Sequence, residues 1–131
     1  MRHKINKKRI RVVMVTQRYY ITILGINTQY YTDEFVAYLW EEAADREYNN
    51  SSIYVSAIIF YGAFVCGEAR GCNLGDTAYT ISCLRNPIEV PNKDDYLNAF
   101  RRVMLSIREK LDNPNMTITI QDAEYYFFLK E

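Results

Sequence analysis

The sequence is poor in the residues on which most catalytic and metal sites depend. Its single histidine, His3, lies in a basic N-terminal segment, where a folded domain could not hold it beside a nucleophile. This position excludes a serine–histidine or cysteine–histidine catalytic pair. The three cysteines have neither the close spacing nor the fourth ligand that a structural zinc site requires. We therefore predict no catalytic residue, no metal site and no cofactor.

Long apolar runs are also missing, and cysteines are few. The longest apolar stretch, residues 53–66, is too short for a membrane-spanning helix and contains Ser56 and Gly62. No secretory signal is recognisable, and an odd number of cysteines is typical of reduced thiols in the cytosol. These observations predict a cytoplasmic protein without membrane contact. A disulfide between Cys66 and Cys72 is the alternative to free thiols.

Charge is balanced over the whole chain but is unevenly distributed. Residues 1–11 carry six cationic side chains and no acid, so the rest of the chain holds ten cations against sixteen acids. We predict a disordered basic arm over residues 1–8 and a single, acidic domain over residues 9–131. An acidic body argues against a surface that grips phosphates. The arm could bind nucleic acid, act as a solubilising tail, or precede a start of translation at Met14; its candidate nucleic-acid contacts are Lys4, Lys7, Lys8 and Arg9.

Hydrophobic periodicity predicts four strands and two helices. Strands are expected at about residues 9–25, 52–66, 77–85 and 116–130, the second apolar on both faces and therefore central or covered on both sides. The helices are expected at about residues 33–47, capped by Thr32, and from Asn92 to about residue 111. A bulge or short helical turn is expected in the last strand at residues 122–124, where the alternation changes phase.

The element order β-α-β-β-α-β predicts an α+β, ferredoxin-like sandwich. In this fold one mainly antiparallel sheet carries both helices on one face. Residues 9–15 could instead form an extra edge strand. One face of the sheet is then left without helices, and its residues on the first strand are Arg18, Tyr20, Thr22 and Leu24. Because the strands are apolar on both sides, we expect the open face to be covered in a homodimer or larger oligomer.

The segment 67–76, "GEARGCNLGD", is the most suggestive stretch of the sequence. Three glycines permit close backbone approach, while Glu68, Arg70 and Asp76 supply charge. It is not a phosphate-binding P-loop, because the lysine after the second glycine is missing and a strand follows. The segment is either a flexible hairpin tip or a site at which Arg70 reaches an anion or a partner.

The second helix offers a further candidate contact surface. Arg101, Arg102 and Arg108 lie away from its apolar face, and Leu105 falls between them. Arginines around an apolar anchor are typical of protein interfaces, and the same arginines could clamp a nucleotide phosphate. The carboxylates of the first helix are interpreted as a solvated acidic face that could contact a basic partner; they are Glu34, Glu41, Glu42, Asp45 and Glu47.

Taken together, these features predict a non-enzymatic, oligomeric binding protein. We expect it to inhibit or sequester a protein partner through its surface, as accessory proteins of phages and viruses do. The alternative is a nucleic-acid or nucleotide-binding protein that uses the basic arm, Arg70 and the arginines of the second helix. Base stacking on the sheet is disfavoured, because the third strand presents Ala78, Thr80 and Ser82 instead of aromatic residues.

Overall fold

A computed structural model describes residues 10–130 of the chain, with the side chains of residues 14–130. The predicted basic arm, with Lys4, Lys7, Lys8 and Arg9, lies outside the described residues. The elements are β1 (Ile10–Leu24), α1 (Asp33–Ser51), β2 (Ile58–Ala63), a 3-10 turn (Glu68–Arg70), β3 (Thr77–Leu84), α2 (Lys93–Lys110) and β4 (Asn115–Phe128).

The four strands form one sheet in the order β2-β3-β1-β4, and each neighbouring pair is antiparallel. Each helix therefore links two strands that run in the same direction but are separated by a third strand. This arrangement is the ferredoxin-like α+β sandwich, so the predicted fold class is confirmed. Residues 10–15 continue β1 and pair with β4, so they do not form an extra strand.

The core lies between the helices and one face of the sheet. Tyr19, Ile21 and Ile23 alternate along β1 with residues of the other face and are almost fully buried, as expected. The Tyr19 ring lies 5.3 Å from the ring of Tyr96 and 4.8 Å from that of Phe100, measured between centroids. These aromatic contacts fix α2 against the central strand.

Both helices begin at the residues that the sequence indicates. The Thr32 hydroxyl accepts a hydrogen bond from the Phe35 N–H, and the Asn92 side chain caps α2 in the same way. The first helix runs past residue 47 to Ser51, because the Ser51 hydroxyl donates to the Glu47 carbonyl and keeps the last turn closed. It ends at Ser52, whose φ of 63° is left-handed.

The prediction for the second strand is wrong in extent and in position. Only Ile58–Ala63 pairs with β3, and β2 is an edge strand, with Ile58 and Phe60 60% and 53% exposed. The apolar residues before it pack on α1 instead. Val55 is fully buried, and its carbonyl accepts a 2.9 Å hydrogen bond from the Trp40 indole N–H.

Two further expectations about the sheet require correction. Residues 122–124 pair in regular register with residues 15–17, and the irregularity lies between Ile10 and Val12 instead. The open face is also less apolar than expected. Its centre carries Thr22 and Thr80, and an Arg18 guanidinium N–H donates to the Ser82 hydroxyl at 3.0 Å. On β2, Ile58 and Phe60 lie on this face, paired with Ser82 and Thr80.

Candidate functional site

A cavity of about 670 Å³ lies at the end of the sheet where β1 finishes and β3 begins. We call it the main cavity. Residues 24–29, which lead from β1 to α1, form one wall, and residues of the β2–β3 connection form the other. Thr77, the first residue of β3, and Asn115, the first residue of β4, complete the lining. Two loops and the ends of three strands therefore converge on one site.

The wall formed by residues 24–29 is held by short-range hydrogen bonds. The Asn27 side-chain carbonyl accepts from the N–H groups of Gln29 and Tyr30, at 3.0 and 3.2 Å. The Thr28 hydroxyl lies 2.6 Å from the Thr77 hydroxyl and joins this loop to the start of β3. The turn is therefore fixed both to itself and to the opposite wall.

Asp76 is the only ionisable residue among the described residues that line the main cavity. Its backbone carbonyl accepts a 2.8 Å hydrogen bond from the Phe64 N–H, which extends the β2–β3 ladder by one pair. Its carboxylate accepts a 2.9 Å hydrogen bond from the Asn73 N–H. One carboxylate oxygen is thus anchored in the loop, and the residue places negative charge at the cavity wall.

Cys66 and Cys72 form a disulfide across the base of the β2–β3 connection, with their Cα atoms 5.5 Å apart. The expectation of reduced thiols is therefore wrong for this pair. It rested on the odd number of cysteines, which says nothing about which two of them meet. Cys83 is the free thiol of the described chain; it is buried in the core, and burial raises its pKa to about 12.

The three charged residues predicted in segment 67–76 do not converge on one point. Asp76 lines the main cavity, whereas Glu68 lines a neighbouring cavity of about 130 Å³ between residues 64 and 74. Arg70 ends the 3-10 turn and is exposed to solvent. A ligand in the main cavity would therefore meet Asp76 directly, whereas Arg70 is not among the residues that line the cavity.

The predicted residues of α2 lie away from the main cavity. Arg102 forms two 2.8 Å hydrogen bonds to the Glu47 carboxylate on α1, and Arg108 donates to the Pro114 carbonyl at 3.0 Å. Arg101 and Leu105 are exposed. The Arg102 hydrogen bond, opposed by burial, lowers the pKa of Glu47. Glu47 is therefore a buried, paired carboxylate and not part of a solvated acidic face.

Several cavity residues were not identified from the sequence, among them Asn27, Thr28 and Asn115. The available signal was the polar run "NTQ" at residues 27–29, two residues after Gly25 and just beyond the end of a central strand. Gly25 has a φ of 73°, which favours glycine and marks a sharp turn at that point. Loops that follow central strands often carry binding residues, so this turn was a candidate site on general grounds.

Comparison with known proteins finds a match to one family and to several solved structures. The profile of the SAM lyase family matches residues 14–129. A phage SAM lyase in complex with S-methyl-5'-thioadenosine is 14% identical, with a TM-score of 0.52 over 87% of this chain and 90% of that chain. A phage SAM lyase in the apo state is also 14% identical, with a TM-score of 0.52 over 91% and 92% of the two chains. No match was found among curated protein sequences.

A more distant likeness is to CPII from Thiomonas intermedia K12, bound to ADP, AMP and acetate. It is 12% identical, with a TM-score of 0.43 over 87% of this chain and 91% of that chain. Within residues 10–130 no helix has the length and apolar character needed to cross a membrane. A cytoplasmic location and a separate protein partner stay predictions.

The family match contradicts the prediction of a non-enzymatic inhibitor or sequestering protein, because its members are lyases. A lone histidine and unsuitable cysteines exclude enzymes that depend on those side chains, but they do not exclude enzymes whose chemistry needs neither. The first of these phage structures holds S-methyl-5'-thioadenosine, an adenosine derivative; a nucleotide-type ligand of this chain stays a prediction.

Proposed function

This chain belongs to the SAM lyase family, and from that membership we propose that it cleaves S-adenosylmethionine and releases S-methyl-5'-thioadenosine. The family match over residues 14–129 carries the proposal, because it includes both walls of the main cavity and nearly all of the sheet. The cavity volume of about 670 Å³ lies in the range usual for small-molecule sites.

The reaction can be balanced from the chemistry of a sulfonium ion. The bond between the sulfur and the γ-carbon of the methionine part breaks, and its electron pair remains on sulfur, which becomes a neutral thioether. A lyase adds no water to the other fragment. Either the substrate's own carboxylate oxygen forms a new bond to the γ-carbon and closes a lactone, or a base removes a proton from the β-carbon and leaves an alkene.

The composition of the cavity favours the lactone route, which needs no general base. Asp76 is the single ionisable lining residue in the described chain, and one of its carboxylate oxygens already accepts the Asn73 N–H. Elimination would require a base aligned with the β-proton and a pKa matched to that task. Closure of the lactone requires only that the substrate be folded with its carboxylate facing the γ-carbon.

The cavity walls can accelerate bond cleavage through their polarity. The sulfonium loses its positive charge as the bond breaks, so apolar surroundings disfavour the substrate more than the transition state. Leu24, Ile26 and Phe64 supply apolar lining. A carboxylate beside the sulfur would act in the opposite sense. We therefore assign Asp76 to the substrate ammonium group, which keeps its charge throughout the reaction.

The experiment compares the cationic substrate with the neutral product in the variant Asp76→Asn. Asparagine keeps an acceptor for the Asn73 N–H, so the loop is retained while the charge is removed. We expect KM for S-adenosylmethionine to rise about tenfold, as for a lost charge-assisted hydrogen bond. The Kd for S-methyl-5'-thioadenosine should stay unchanged. Glu89→Gln, an exposed acid after β3, is the matched control.

Two outcomes would contradict the proposal. Failure of the wild-type protein to release S-methyl-5'-thioadenosine from S-adenosylmethionine would exclude the activity itself. Substrate deuterated at the β-carbon then separates the two routes, because lactone closure retains both deuterons and elimination loses one. Loss of deuterium would overturn the lactone route and the role assigned to the cavity, but not the lyase activity.

We further propose that the protein is a homo-oligomer assembled through the β2 side of its open face. Ile58 and Phe60 are more than half exposed there, and Val65 and Leu74 on the adjoining connection are 79% and 90% exposed. Exposed apolar side chains on one edge of the sheet and its adjoining loop favour association with another copy. Because Phe64 and Gly75 of the same connection line the main cavity, this surface adjoins the proposed active site.

A further inference from the structure

The disulfide encloses a small, weakly supported loop, residues 66–72, which we call the bridged loop. The bridged loop contains the 3-10 turn Glu68–Arg70, none of whose residues is buried. Gly67 and Gly71 both have a φ of 94°. Glycine adopts this conformation without strain and can also leave it easily. With so little buried surface, the loop has few contacts of its own that would keep it closed.

Besides the disulfide, the bridged loop is closed by three backbone hydrogen bonds. The Gly67 carbonyl accepts from the N–H groups of Arg70 and Cys72, both at 3.1 Å, and the Glu68 carbonyl accepts from the Gly71 N–H at 2.9 Å. These bonds lie at the surface, where water competes for them. The covalent bond between Cys66 and Cys72 is therefore the main constraint on the conformation of the loop.

The conformation of the bridged loop bears directly on the main cavity. Gly71 and Cys72 belong to the cavity wall, together with Gly75 and Asp76 just beyond the loop. Cys72 also lines the smaller cavity on the other side of the connection. Opening of the disulfide would thus loosen the part of the wall that Gly71 and Cys72 form, next to Gly75 and Asp76.

The two bridged cysteines are accessible to a reductant, whereas the third cysteine is not. Cys66 and Cys72 are half-buried at the surface. Cys83 is 1% exposed, and burial raises its pKa to about 12, so its reactive thiolate form is scarce at neutral pH. Among the described cysteines, a thiol reductant is therefore expected to react with Cys66 and Cys72 and not with Cys83.

We propose that Cys66–Cys72 is a thiol–disulfide exchange site that controls the affinity of the main cavity for its ligand. A dithiol reductant attacks one sulfur through its thiolate, the S–S bond breaks, and a mixed disulfide forms. The second thiol of the reductant then displaces the protein sulfur. The products are two protein thiols and one oxidised, cyclic reductant, and two electrons and two protons are transferred. The functional consequence rests on the proposed lyase activity.

The first test does not depend on catalysis. Trypsin cleaves after Arg70, which lies inside the bridged loop, so the rate of cleavage at this bond reports how often the loop opens. We expect cleavage to be slow in the oxidised protein and about tenfold faster after treatment with dithiothreitol. The double variant Cys66→Ser, Cys72→Ser should be cleaved at the fast rate under both conditions. Cys83→Ala should respond to the reductant as the wild type does.

The second test measures Kd for S-methyl-5'-thioadenosine by calorimetry in the same three proteins, each before and after reduction. We expect weaker binding to the reduced protein and to the double variant, and no change between wild type and Cys83→Ala. Equal Kd values before and after reduction, or equal cleavage rates, would overturn the proposal. If the protein shows no lyase turnover but trypsin cleavage at Arg70 still depends on reduction, the proposed activity is refuted. The exchange site is then still supported.

Discussion

Thr28 and Thr77 share a hydrogen bond in which 2.6 Å separates their hydroxyl oxygens. Thr28 lies in the β1–α1 loop, and Thr77 is the first residue of β3, so the bond joins the two walls of the main cavity. The contact is between residues forty-nine positions apart in the chain. It therefore sets the relative position of two loops that the strands alone would leave independent.

Thr28→Val should separate these walls without changing side-chain shape. We expect a loss of about 1 kcal/mol in the free energy of unfolding, because the Thr77 hydroxyl loses its partner. We also expect a higher Kd for S-methyl-5'-thioadenosine, measured by calorimetry. Thr28→Ser keeps the hydroxyl and is the control. If valine and serine variants bind equally well, the hydrogen bond does not shape the cavity.

The Glu47–Arg102 pair should join the two helices. Both hydrogen bonds measure 2.8 Å, and the Glu47 side chain is buried while that of Arg102 is largely exposed. Arg102→Ala leaves the carboxylate buried without its partner, and we expect Tm to fall by a few degrees in thermal unfolding. The neighbouring Arg101→Ala should leave Tm unchanged, because Arg101 is exposed. Equal effects of the two substitutions would contradict a specific pair.

The same pair predicts a dependence of stability on pH. The Arg102 hydrogen bond lowers the pKa of Glu47 in the folded protein below its ordinary value of 4.5. A carboxyl with a lowered pKa stabilises the fold fully above the unfolded value and loses this contribution as pH falls through the folded value. The stability difference between wild type and Arg102→Ala should therefore be constant above pH 4.5 and shrink below it. Urea denaturation of both proteins at a series of pH values measures this difference in the free energy of unfolding.

Much of the fold could be predicted because local signals and the global arrangement agree. Thr32 and Asn92 begin helices in the sequence and in the structure, and Tyr19 and its alternate residues form the buried face. The second strand could not be placed in the same way. An apolar run has the same appearance whether it pairs in a sheet or packs on a helix, and the hydrogen bond from Trp40 to Val55 decides between them.

The candidate site was harder to predict, because its residues come from segments that only the fold brings together. Asp76 was identified from the charged, glycine-rich loop, but Thr28 and Asn115 have no motif that links them to it. The function was mistaken for a related reason. A sulfonium ion can be cleaved with a neutral thioether as the leaving group and the substrate's own carboxylate as the nucleophile. The protein therefore need not supply a catalytic histidine or cysteine.

Arg85 should be a principal anchor of the segment that joins β3 to α2. It is 4% exposed, and its guanidinium donates to the Gln17 side-chain carbonyl at 2.9 Å and to the Val90 carbonyl at 2.8 Å. Arg85→Leu would leave these buried acceptors unpaired, and we expect a loss of about 3 kcal/mol in the free energy of unfolding. Arg70→Leu, in an exposed position, should change it little. Equal midpoints in urea would refute this role.

The oligomer should depend on β2 and not on α2. Phe60 lies on the open face of the sheet at its edge, whereas Leu105 lies on the outer surface of α2, and each is about half exposed. If copies associate through the open face, Phe60→Ser should reduce the molar mass measured by light scattering to that of one chain, because a buried aromatic anchor is lost. Leu105→Ser removes a similar apolar area from the other layer and should leave the mass of the oligomer unchanged. Dissociation by Leu105→Ser alone would place the interface on the helices, and a wild-type mass of one chain would exclude an oligomer altogether.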